Sequence, residues 1–130
     1  MAGSFGDVLE DEILDHIFGV GEYAAPDTYI ALSTADPTDD GSGVAEPVGG
    51  AYARVQCAAW DAAVGGATAN TGAISFTQAT GDWGTITHFA IFDAAEAGNM
   101  LAHGDLTVGK EVYDGDTVSF AAGELDITLA

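Results

Sequence analysis

The chain has 130 residues, 21 of them acidic against only Arg54 and Lys110, giving a formal net charge of -19. A chain of this length buries roughly two-thirds of its unfolded surface and builds one core. Its apolar runs stop far short of the ~20 residues that cross a bilayer, its acidic start is unlike a signal peptide, and its scarcity of cations excludes contact with a phosphate backbone.

From the N-terminus, Ser4 to Gly19 reads as an amphipathic helix. Phe5, Val8, Leu9, Ile13, Ile17 and Phe18 fall on one stripe, with Asp7, Glu10, Asp11 and Asp15 turned away from it. Ser4 is the expected N-cap and Gly19 the stop. Residues 1–20 are therefore either part of the domain or a docking element, their stripe packing on the chain's own sheet or on a partner subunit. Residues 21–130 read as a β-sandwich domain.

Thr28 to Ser33 is a strand apolar on both faces, hence central or at a subunit contact, which makes Tyr29 a further interface candidate. Thr34 to Gly50, with two prolines, four acids and four glycines, is an exposed loop. Tyr52 to Cys57 is the next strand, and Asp61 to Gly72 a second exposed connection. Ala73 to Thr77 is short, and Thr85 to Phe92 is the strongest strand of the chain. Met100 to Leu106 returns after a turn closed by Gly98 and Asn99. A further turn is expected at Gly109 and Lys110, then strands at Thr117 to Phe120 and Leu125 to Leu129. Short strands at this spacing predict a mainly β fold, an antiparallel β-sandwich or jelly-roll-like barrel with one N-terminal helix.

Chemistry is sparse in this pattern. His16, His88 and His103 lie in the helix and in two different strands, without metal-site spacing, although His88 could meet His103 across a strand pair. No nucleophile elbow is present. Cys57, the only cysteine, permits neither an internal disulfide nor a cysteine zinc cluster and reads as a small buried hydrophobe. Asp36, Asp39 and Asp40 form the best metal candidate, a weak calcium loop set against a merely solvated one. No other cofactor is expected. Trp60, Trp83, Tyr23 and Tyr52 sit in or beside loops, where they seal the core or bind sugars or proteins; Gly81 and Gly84 around Trp83 favour sealing. The acids are spread as singlets and pairs, which fits a surface solvated in brine better than a nucleic-acid mimic.

Several phrases occur together and in order: TYIALSTADPT at 28–38, GVAEPVGGAYARV at 43–55, Trp60, DWGTITHFAIFDA at 82–94, GNMLAHGDLT at 98–107, and the closing DGDTVSF and GELDITL. In these the chain resembles a family of small virion proteins of tailed viruses, labelled tail-fibre-like or head decoration proteins. The resemblance implies no catalytic residues and no enzyme activity. With the acidic surface, it implies a haloarchaeal tailed virus. The expected partners are the major capsid protein and further copies of the chain, and the expected location is the virion, on the capsid surface ahead of the tail. A tail or baseplate component, or a secreted carbohydrate- or calcium-dependent adhesion module, are the alternatives. Hydrophobic burial strengthens in salt while charge attraction is screened, so the interface should be apolar.

Overall fold

The computed structural model describes residues 2–129. Tyr29–Ser33 (β2) and Gly84–Phe92 (β6) pair antiparallel along their full shared length, and Met100–Val112 (β7) covers the other edge of β6. Their side chains are apolar on both faces because both faces are covered: Ile30, Ala31 and Leu32 of β2 and Phe89 to Phe92 of β6 are buried. The sheet continues beyond β7 through Ala2–Phe5 (β1), Asp126–Thr128 (β9) and Ala67–Ala69 (β4), and ends on its other side at Val55–Gln56 (β3). These seven strands curl into a half-barrel, accompanied by a ribbon of Ile74–Ser75 (β5) and Ser119–Phe120 (β8) and by one helix, Asp7–Ile17 (α1). The fold is mainly β with an N-terminal helix, as the sequence pattern indicates. All pairings are antiparallel except β1 with β9.

Several expected strands are shorter, the one at Tyr52 to Cys57 shrinking to Val55–Gln56, and three segments differ in kind from the sequence reading. The helix begins at Asp7 with Gly6 as its N-cap, and Ser4 lies in β1, so it caps nothing. Gly3 passes so close over β7 that a Cβ there would meet the His103 carbonyl oxygen at 2.8 Å. The close packing of this glycine fixes the segment as a strand rather than a first helical turn. The expected exposed stretch at 61–72 contains β4, entered through Val64-Gly65-Gly66-Ala67, where both glycines have positive φ (62° and 79°) and Val64 and Ala67 exchange backbone hydrogen bonds. That is the backbone twist a two-residue hairpin requires. Finally, the turn expected at Gly109 and Lys110 is a bulge inside one long strand. Between the pairs Ile86 with Lys110 and His88 with Asp105, the single residue Thr87 of β6 faces four of β7, Leu106 to Gly109.

Candidate interaction surface

The helix leaves its apolar residues largely outside the core. Leu9 packs against the main cluster, as does Phe5 of β1, and Ile13 is half-buried, but α1 contains no buried residue. Leu14, Ile17 and Phe18, at i, i+3 and i+4, form one exposed face, with Ile17 68% and Phe18 76% accessible. Val8 and, past the helix, Val20 are exposed as well. The predicted stripe thus divides: Phe5 and Leu9 turn inward, while Val8, Ile17 and Phe18 turn to solvent. Leu14, outside that stripe, joins the outer face. Gly19, at φ 77°, terminates the helix as expected, with Val20 N–H and Gly21 N–H both donating to the Asp15 carbonyl. Tyr29, the other interface candidate, is half-buried at the start of β2 opposite Phe92.

The 34–50 loop is tied down at several points. Pro37 and Pro47 are buried, Thr34 N–H donates to the Ala45 carbonyl, and Asp7 N–H, at the helix start, donates to the Asp39 carbonyl. Its three candidate metal ligands are occupied separately. Asp36 accepts Thr38 N–H at 2.9 Å, and Asp39 meets His103 Nε2 at 2.8 Å. Asp40 accepts the Thr38 hydroxyl at 2.7 Å and Ser42 N–H at 2.9 Å, and these bonds, the Thr38 one foremost, hold its carboxyl down at about 2. Asp36 and Asp40 close local turns while Asp39 reaches across to β7, so the three do not converge on a common point. Among the described residues no three His, Cys, Asp or Glu side chains gather as a metal site. The histidines behave similarly. His88 meets Asp105 and His103 meets Asp39, each at 2.8 Å, because the register sets His103 opposite Ala90 and not opposite His88.

Of the aromatic side chains expected near loops, Trp60, Trp83 and Tyr52 seal the core, while Tyr23 is half-buried outside both apolar clusters. Trp83 is 4% exposed, donates to the Gly50 carbonyl at 2.8 Å and meets Tyr52 edge-on at 5.3 Å between ring centroids. Trp60 packs partly buried on the main cluster and donates to the Thr28 hydroxyl. Cys57 is buried, and that burial pushes its thiol up, away from the reactive thiolate.

Two polar hubs were not singled out in the sequence. Arg54, its side chain 7% exposed, pairs in bidentate fashion with Glu46, donates to the carbonyls of Ala94 and Ala97, and lies 3.7 Å from the Phe92 ring centroid. Burial pushes the Glu46 carboxyl up, but the hydrogen bonds from Arg54 and Tyr52 outweigh it and leave it below the usual range. The signal available in the sequence was the lone arginine itself. Asn70, fully buried, donates to the carbonyls of Gly72 and Ala121 and accepts Leu125 N–H, joining β4 to the approach to β9.

All 21 acids are exposed or half-buried, and buried polar side chains among the described residues are limited to Ser33 and Asn70. A rigid β half-barrel with an acidic surface and an exposed apolar helix face has the character of an interaction module. Its sequence matches the family model of the podophage GP4 fiber I protein gp80 over residues 4–128, and the chain belongs to that family. It is accordingly a phage-type virion structural protein. No curated protein matches the chain.

Proposed function

We propose that the chain is a fibre subunit of a tailed virion, held in its assembly by apolar contact through the outer face of α1. The observation that carries this reading is the family match across nearly the whole chain, in a family described by its fibre protein. The exposed Leu14, Ile17 and Phe18 supply a contact surface of the kind an assembly part needs. That description supports the fibre over head decoration, the reading placed first on sequence alone. The adhesion-module alternative finds less support, because Trp60, Trp83 and Tyr52 pack on the core and its three aspartates stand apart. Antibody labelling of purified virions tests the proposal. Signal along fibres is the expected result; signal confined to head facets would overturn it and restore a decoration subunit on the major capsid protein.

The acidic surface supports assembly in concentrated salt, and with it a haloarchaeal host. Carboxylates left in solvent repel one another less as the Debye length shrinks to ~3 Å near 1 M salt. The fold should therefore melt at a higher temperature in molar salt than at ~0.1 M. Equal melting temperatures would remove the salt-adapted reading while leaving the fibre assignment intact.

A further inference from the structure

β7 has a neighbour on both sides for only part of its length. β6 pairs with it at both ends but not across the 106–109 bulge, whereas β1 pairs only with Ala102 to Gly104. From Leu106 to Val112 the side of β7 away from β6 has no strand partner among the described residues. A groove of about 800 Å³ lies along that edge, and its far wall is the run from Asp116 to Asp126. The position of this groove follows from the sheet. β1 fills the space between β7 and β9, with Gly3 opposite Gly104 on one side and Ile127 on the other. Past the Ala102–Gly104 pairing with β1, the groove lies against the free side of β7, with the 116–126 run as its opposite wall.

We infer that this groove receives an extended segment of another protein, added to the edge of β7 as a further strand. Unpaired N–H and C=O groups in an extended backbone are matched best by another extended backbone. The floor provides for alternate side chains: Ile86, Val112 and Phe120 are buried, and Leu106 and Val118 are half-buried. The rim sets the charge of the occupant. Glu111, Asp116, Glu124 and Asp126 line it against the single Lys110, so the segment carries Lys or Arg between its apolar residues. A second copy of the chain does not fit this requirement. Of its two cations, Arg54 is engaged with Glu46 and Lys110 lies in the groove itself. The inference is independent of where the protein sits in the virion.

The test uses the full-length chain and a heptapeptide matching Leu106–Val112 in length, acetyl-KVKVKVK-amide. A second peptide of identical sequence is N-methylated at alternate residues, so that it keeps the charge and loses the ladder. Hydrogen exchange at the amides of 106–112 should slow at least tenfold with the first peptide and stay unchanged with the second. Replacing Glu111→Lys together with Glu124→Lys should shift preference at least tenfold toward EVEVEVE. Should that variant fail to fold, the comparison of the two peptides on the wild type still decides. Equal binding of the methylated peptide would overturn the proposal, as would protection elsewhere on the chain. Concentration-dependent protection of the same amides without peptide would overturn it too, by making a second copy the occupant.

Discussion

β2 and α1 are built from the same apolar residue types and use them in opposite ways. In β2, Ile30 and Leu32 are fully buried beside β6, and Ala31 on the opposite face is buried too. In α1, only Leu9 and the half-buried Ile13 lean toward the sheet, and Leu14, Ile17 and Phe18 remain in water. A sheet that closes on its own curvature leaves the helix little to cover. The strands therefore carry the stability of the domain, and the helix keeps apolar surface that stability does not use. Substitutions should separate the two roles.

The largest loss is expected at Phe89→Ala, which empties a fully buried site at the centre of β6. It should cost about 3–5 kcal/mol in denaturant unfolding, the range for a core aromatic. Arg54→Met should follow at roughly 2–3 kcal/mol, below the full cost of breaking a buried pair because Glu46 is partly exposed. Asn70→Ala should cost about 1–3 kcal/mol by leaving Leu125 N–H without its acceptor. A loss near zero at Asn70 would mean that the β4 end of the sheet contributes little.

Acid should act through Glu46. Its folded carboxyl ionises more readily than an unfolded one, so its contribution is complete above the ordinary value of ~4.3 and is lost as pH falls through the lower folded value. Wild type minus Glu46→Gln should therefore show a stability difference that shrinks as pH falls below ~4. A difference that is flat in pH would contradict the bidentate pair. The smallest effect on stability is expected at Ile17→Asp with Phe18→Asp, within about 0.5 kcal/mol, the usual range for surface sites. These two should abolish association while leaving the melting temperature unchanged. Leu9→Asp is a poorer probe than its place on the predicted stripe suggests, because Leu9 packs on the core and its loss would confuse folding with assembly.

The contrast between the two regions also explains what was legible in the sequence. Thr28 to Ser33 and Thr85 to Phe92 announce themselves because both faces are apolar over a continuous run, and no helix of that composition ends so soon. The β1 residues, Ala-Gly-Ser-Phe, carry no alternation; what makes them a strand is the tight approach of Gly3 to β7, a tertiary fact. β3, β5 and β8 have two residues each, too few for any period to show. Gly65-Gly66 was a readable hairpin signal, hidden by the small, featureless residues around it. The helix stripe was legible as apolar, but its division between core and solvent was not, because that depends on where the helix axis crosses the sheet. The groove beside β7 could not be read at all, since it depends on which part of β7 pairs with β1, a tertiary fact.

The placement of β1 has a consequence for biosynthesis. Its hydrogen-bonding partners are β7, about a hundred residues downstream, and β9, further still. β1 leaves the ribosome well before either partner, and contacts of such separation slow folding. While it waits, the apolar floor that β1 will cover lies open to water and to other nascent copies. Folding would then depend on rapid completion of each chain, and a synonymous change that stalls translation between β7 and β9 should reduce soluble yield without altering a single residue.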